Sequence, residues 1–214
     1  MHPHASVWDR AGAWIYDPFL WLGERRGMAR RRRELLAGAA GRVLEIGAGT
    51  GLNLPHYTDS VEALVLAEPV EPMARALERR VQCLGRPAEV HRASAEVLPY
   101  ADDSFDTVVS TLVLCTVRDQ ALALSEIARV LRPGGRLLFI EHLRSETERW
   151  ARWQDRLARS WAAFAFGCHC NRRTHELLAS SPLAIEQSES ASWHGMPPLV
   201  RPLLIGSAVC QLYP

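Results

Sequence analysis

The chain has 214 residues, 48% of them hydrophobic and 23% charged, and its formal net charge is +1. That length suits one domain and that balance an ordinary globular protein, and a near-neutral chain offers no global electrostatic case for binding nucleic acid. Five cysteines, an odd number, with no secretory h-region and cleavage site, argue against a disulfide framework and for a reducing cytoplasm.

Residues 7–22, "VWDRAGAWIYDPFLWL", are apolar and aromatic, and Pro18 divides them into one or two short helices. A second helix follows in "ERRGMARRRRELLAGAAG", with an arginine face, and glycines end it. Arg42–Ile46 reads as a short buried strand, and "GLNLPHY" reads as the start of a helix. Glu62–Glu68 is a second strand. Val70, Met73, Ala74, Leu77 and Val81 then recur at helical spacing until Gly85 stops the run. "AEVHRA" and Ser104–Leu114 are the third and fourth strands, with a connection between them that the pattern does not resolve. "DQALALSEIARVL" is an amphipathic helix closed by Pro133, Gly134 and Gly135, and Arg136–His142 is a fifth strand. Helical stretches "ETERWARWQDRLARSWAAFAF" and "NRRTHELLAS" precede two β-like segments, "LAIEQSESAS" and "LLIGSAVCQL", that pair as an antiparallel addition at the sheet edge. Continuous apolar strands alternating with helices imply a mostly parallel sheet covered on both faces. No stretch approaches the length of a bilayer-spanning helix, and no repeat or linker divides the chain.

The sharpest local signal is "VLEIGAGTGLNLPHY", Val43–Tyr57, with glycines at 47, 49 and 51. A P-loop needs a lysine after its last glycine, and none is present. A dinucleotide loop needs its third glycine where Leu52 stands. The glycines therefore let a ligand approach the backbone without requiring that the ligand carry phosphates. Glu68 lies 21 residues beyond Gly47 at the end of the second strand, the place of a carboxylate that accepts hydrogen bonds from a ribose. Glu96 follows the third strand, where it could meet an adenine amino group, and Asp106 opens the fourth.

Taken together, "LEIGAGTG", "AEP", "SAEVLPYADDSFDTVVSTLVLCTV" and "EIARVLRPGGRLLFIEH" resemble the class I S-adenosylmethionine-dependent methyltransferases. The resemblance is to the ubiquinone/menaquinone-methyltransferase type, and closer still to the methyltransferase-like 7 group of alkyl-thiol methyltransferases. That group has strings similar to "STLVLCTVRDQ", "FIEH", "RWQDRL", "FGCHCNRRT" and "SWHGMPPLVRPLLIGSAV". The resemblance implies a Rossmann-like α/β fold: a mostly parallel seven-stranded sheet, helices on both faces, and an N-terminal helical lid. Residues 1–40 would form the lid and residues 41–214 the cofactor-binding part of one domain. It implies S-adenosylmethionine as cofactor. Glu45, Gly47, Ala48, Gly49 and Gly51 would hold its methionine part, Glu68 would bind its ribose, Ala95 and Glu96 would flank its adenine, and Asn53 and Pro69 would also contact the cofactor. Thr111 would lie near the sulfonium, and Tyr16 would close over the cofactor.

The resemblance favours a small or hydrophobic acceptor, a thiol first. Transfer to carbon, oxygen or nitrogen of a quinone, phospholipid or natural product is the alternative. A non-catalytic cofactor-binding module and an NAD-dependent oxidoreductase are competing classes; Leu52 speaks against the second. His142, at the end of the fifth strand, is the candidate general base, weighed equally against a supporting role. Cys115 reads as packing rather than as a nucleophile. Cys168, His169, Cys170 and His175 have poor zinc spacing, so no metal is expected. The N-terminal aromatic and arginine residues read as a lid over the active site, with peripheral contact to an anionic membrane as the second reading.

Overall fold

The computed structural model describes residues 16–210, so the first part of the one or two short helices expected over residues 7–22 lies outside the described residues. Helical residues 16–23 run through a π-turn at Glu24–Met28 into α1 (Ala29–Leu36). Gly27, at φ 128°, breaks the helical path here, so the expected arginine helix is two pieces meeting at a kink.

The strands follow: β1 (Gly41–Ile46), β2 (Val61–Ala67), β3 (Glu89–His91), β4 (Phe105–Thr111), β5 (Leu131–His142), β6 (Leu183–Ser192) and β7 (Pro202–Cys210). They form one sheet in the order β3-β2-β1-β4-β5-β7-β6. β1 to β5 are mutually parallel, and β7 runs antiparallel between β5 and β6. The antiparallel pair expected from the end of the chain is therefore present at the sheet edge. The intervening helices are α2 (Glu71–Leu84), α3 (Gln120–Val130), α4 (Glu148–Phe164) and α5 (Thr174–Ala179).

Local chemistry sets the element ends. Pro72 lies in the first turn of α2, and Gly85 takes the left-handed conformation that stops it. The Asp119 carboxylate accepts the Leu122 N–H at 3.0 Å and caps α3. β4 ends earlier than the expected Leu114, because Leu112 turns to φ 62°. β5 begins at Leu131, and its pairing with β4 is broken before it resumes at Arg136.

One expected element is absent. "GLNLPHY" folds into a short 3₁₀ turn at Leu54–His56, not into an α-helix. Asn53 turns its side chain inward to Glu45 instead of capping a helix, and Tyr57 is drawn in after it. Few residues then remain before β2.

Alternate residues of the central strands pack on opposite faces. Leu44, Val65, Val108 and Leu137 join Leu124, Ile127 and Leu178 on one side. Val43, Leu64, Leu66, Val109 and Leu138 join Leu36 and Leu77 on the other. A third apolar cluster forms beyond the C-terminal ends of β4 and β5. There Leu20 and Met28 from the N-terminal helices meet Trp193, Met196 and Val200 from the β6–β7 connection. The N-terminal helices thus share their packing with the β6–β7 connection.

Candidate active site

The carboxyl ends of β1, β2, β4 and β5 open into a cavity of about 780 Å³, where open parallel sheets place their ligands. Its two ends differ in chemistry.

The first end is built by the glycine loop. Gly47 has φ 54°, and a Cβ there would stand 2.6 Å from the Val113 side chain, so loop and β4 connection touch only because the side chain is missing. Gly49 has φ 58° and the opposite surroundings: a Cβ would meet only the Gly47 carbonyl at 3.9 Å and Tyr16 at 4.0 Å. That position is a cradle a side chain would fill, and it faces the cavity. Glu68 closes the cradle, accepting the Gly49 N–H and the Val70 N–H at 2.8 Å each. Burial raises its pKa, and those two N–H groups oppose the shift. Pro69, Ala95 and Glu96 continue the wall, and Glu96 also accepts the Arg118 N–H at 2.8 Å.

Tyr16 covers this end, its ring edge-on to Phe166 with centroids 5.7 Å apart. Burial pushes the Tyr16 phenol well above the usual tyrosine range. The neighbouring Asp17 ties this helix to the glycine loop and α2: it accepts the Thr50 hydroxyl at 2.5 Å and pairs with Arg80 at 2.5 Å.

Of the residues expected to serve the cofactor, Tyr16, Gly47, Gly49, Glu68, Pro69, Ala95 and Glu96 line the cavity. Glu45, Ala48, Gly51, Asn53 and Thr111 do not; they stand behind its wall. Asn53 donates to Glu45 at 2.9 Å and to Thr111 at 3.0 Å, and the Tyr57 hydroxyl donates to Glu45 at 2.6 Å. Burial pushes the Glu45 carboxyl up to about 7, against the pull of Tyr57, Asn53 and Arg32. Asp106 lies at the opposite end of the sheet, bound to the Arg42 N–H and to Arg132.

Arg32 completes this network. Its guanidinium is 3% exposed, donates to Asn53 at 2.8 Å and Thr111 at 3.1 Å, and pairs with Glu24 at 3.1 Å. One arginine of the basic run is therefore buried beneath the loop. Its neighbours Arg30 and Arg33 stay exposed, and nothing in their sequence order separates the roles.

The second end is apolar and contains sulfur. Leu20, Trp161, Phe166, Trp193, Met196 and Val200 line it, with Cys115, His142 and Cys168 in its wall. The three last residues come from separate segments, and their ligand atoms all lie within 4.8 Å of one another. His142 stacks on Trp193 with centroids 5.8 Å apart.

Backbone contacts hold each of them. Glu141 accepts Ser110 at 2.6 Å and the N–H groups of Val113 and Leu114, which fixes the turn carrying Cys115. His169 N–H donates to the Cys115 carbonyl at 2.8 Å, bringing Cys168 alongside. Arg172 donates to the Leu114 and Val117 carbonyls at 2.6 and 2.7 Å. Thr174 donates to the His142 carbonyl at 2.9 Å. Gln154, 1% exposed, donates to the carbonyls of Leu143, Cys170 and Leu199. "RWQDRL" and "FGCHCNRRT" are thus the strings that build this end.

The hydrogen bond from the Cys115 thiol holds Cys168 far below an ordinary thiol, down to about 4; burial opposes this, and the His142 ring assists it. Burial works to lower His142, but Cys168 and Glu141 outweigh it and leave the imidazole raised. His142, weighed as a general base and as a supporting residue, lines the cavity with its ring beside Cys168 and Trp193. Cys115 packs in the third apolar cluster, and its sulfur also stands in this group, while the side chains of His169, Cys170 and His175 fall outside it.

Residues 44–139 match the family model described as a methyltransferase domain. The chain is 34% identical over 206 residues to the human thiol S-methyltransferase TMT1A, spanning 85% of this chain and 79% of that protein. It is 35% identical over 147 residues to a phosphatidylethanolamine N-methyltransferase of Cereibacter sphaeroides, spanning 68% and 71%. The crystal structure of an S-adenosylmethionine-dependent methyltransferase from Aquifex aeolicus superposes with a TM-score of 0.64 at 16% identity, over 94% of this chain and 98% of that one. This last likeness concerns the fold alone.

Proposed function

The chain belongs to the class I S-adenosylmethionine-dependent methyltransferases, and from that premise we propose that it methylates the sulfur of a small hydrophobic thiol. S-Adenosylmethionine, when bound, supplies a methyl carbon on a positively charged sulfonium, so that the leaving group departs as a neutral thioether. The residues of the first end fit it. The open cradle at Gly49 admits the amino-acid end close to the backbone, and Glu68 has lone pairs left for ribose hydroxyls. Ala95, Glu96 and Tyr16 line the same end, which supports assigning the first two to the adenine and Tyr16 to closing over the cofactor.

The observation that carries the acceptor class is the distribution of carboxylates. Among the described residues that line the cavity, Glu68, Glu71 and Glu96 all lie at the cofactor end. The acceptor end presents indole, phenyl, aliphatic and sulfur groups around one imidazole. An apolar thiol gains from that surface, whereas a cationic amine would be stripped of water with no carboxylate to receive it. The residues otherwise align and exclude water: Phe19, Trp161 and Phe166 close the rim, and a thiol needs to lose only a proton near pH 8.5 to become a strong nucleophile. The likeness to TMT1A points the same way.

The test is direct. Purified protein with S-adenosylmethionine is given aliphatic thiols, a phosphatidylethanolamine and a reduced quinone in parallel, and methylated products are identified by mass spectrometry. S-methyl thioethers from the thiols are expected. Their absence, with methylation of either other acceptor, assigns a different acceptor atom.

A further inference from the structure

Cys115, His142 and Cys168 are 1%, 5% and 7% exposed, and all three line the acceptor end of the cavity. Two thiols and an imidazole whose ligand atoms lie within 4.8 Å of one another form a donor set, not ordinary packing. In a tetrahedral zinc site, bonds of about 2.3 Å to sulfur and about 2.0 Å to nitrogen put neighbouring ligand atoms about 3.5–3.8 Å apart. Closing the present triangle onto an ion thus takes a contraction of at most about 1.0–1.3 Å. The three are also in mutual contact: the Cys168 sulfur is hydrogen-bonded to the Cys115 thiol, to the His142 ring and to the Trp161 indole. The support around the triad is already rigid: Thr174 holds the His142 carbonyl and His169 the Cys115 carbonyl.

We propose that Cys115, His142 and Cys168 bind one zinc ion, and that its fourth position, open to the cavity, takes the acceptor's sulfur as a thiolate. Two thiolates and one imidazole with one open position is a ligand set that zinc uses for catalysis. On coordination the acceptor's S–H bond is exchanged for a sulfur–zinc bond, and the proton leaves to water at the cavity mouth. The acceptor is then held as a nucleophile at neutral pH in an apolar chamber. The thioether product carries no charge and is a poorer zinc ligand, so it is released. The proposal rests on the thiol reading above and deepens it. The short-range pattern Cys168-His169-Cys170 plays no part, since only its first residue reaches the site.

The experiment uses the whole chain, purified with a phosphine reductant that contains no thiol. Metal content is read by plasma mass spectrometry for the wild type, Cys115→Ser, Cys168→Ser and Cys170→Ser, with circular dichroism as the check on folding. The proposal expects about one zinc per chain in the wild type and Cys170→Ser, and at least tenfold less in the other two. Cobalt-loaded wild type should show intense tetrahedral absorption that shifts when an aliphatic thiol is added. Trace zinc in the folded wild type overturns the proposal, and so does a Cys115–Cys168 disulfide in its place. A cobalt spectrum indifferent to thiol also overturns it. If zinc-free protein still yields S-methyl thioethers, the metal fails while the thiol reading stands. If zinc binds and the cobalt spectrum responds to thiol without any S-methyl product, the site stands and the thiol reading fails.

Discussion

The two ends of the cavity are built in opposite ways. The cofactor end is polar and nearly contiguous in sequence: a glycine loop, one carboxylate at the end of β2 and a short turn after β3, backed by the buried chain Glu24–Arg32–Asn53–Glu45–Tyr57. The acceptor end is apolar and assembled from segments far apart in sequence, pinned to one another by side-chain to backbone hydrogen bonds from Gln154, Arg172 and Thr174. The first must hold one unchanging molecule, which backbone groups and a fixed carboxylate do well. The second sets which acceptor enters, and it is held by contacts that can change one at a time.

If the polar chain is what makes the cofactor end rigid, its central charge should be the most costly to remove. Arg32→Met strands the Glu24 carboxylate and the Asn53 carbonyl oxygen, and a broken buried pair costs about 3–5 kcal/mol. For a chain of this size that is a fall of about 6–20 °C in Tm by thermal unfolding. A fall smaller than that would place the rigidity in the apolar packing instead.

Next in size come two changes that should separate the ends. Glu68→Ala should weaken S-adenosylhomocysteine binding by about 1.5–3 kcal/mol, the range for hydrogen bonds to a charged group. Calorimetry reads this as about 10- to 150-fold in Kd, and the KM for the acceptor should stay the same. Trp161→Ala should do the reverse. It removes part of an aromatic wall in contact with Phe19 and Phe164, worth about 1–2 kcal/mol to a hydrophobic acceptor. The KM for the acceptor should rise and the cofactor Kd should not move. Equal effects of either variant on both ligands would make the cavity one site rather than two.

The same contrast explains what could be read from the sequence. Gly47, Gly49, Glu68, Ala95 and Glu96 were legible because backbone geometry demands particular residue types at short, regular distances. The parallel strands were legible because they are buried on both faces. Arg32 was not, because an arginine under the loop and the arginines beside it in solvent look alike in a basic run. The missing helix after the loop was hidden for a related reason. Asn53 and Tyr57 fit a helix start, and only the inward pull of Glu45 turns them the other way. Cys115 and His142 each occur alone in the sequence and Cys168 sits in a pattern with His169 and Cys170 that points elsewhere; only the fold of β4, β5 and the segment after α4 brings the three together. Cysteine count and spacing along the chain carry no trace of such a meeting.

The last prediction tests Glu45, the residue on which the polar chain converges. Its carboxyl is raised from 4.5 to about 7, mainly by burial. Between those values the folded protein holds a proton that the unfolded chain has released, so this group favours folding at low pH and loses that contribution as pH rises through 7. The slope is about 1 kcal/mol per pH unit. Other groups act in the opposite sense: Asp106, Glu126 and Asp155 are held below the usual carboxylate range, and their contribution is lost as pH falls. The raw stability curve therefore mixes both signs, and the difference between wild type and Glu45→Gln isolates one. Glutamine keeps an oxygen for the Asn53 amide and presents an N–H to the Tyr57 oxygen, so the network retains its shape without a titrating member. Urea unfolding at several pH values should show the variant gaining on the wild type from pH 5 to 7 and level with it in slope above pH 8. Parallel curves across the whole range would mean that Glu45 stays ionised beneath the loop, with Arg32 as its counter-charge in place of a proton.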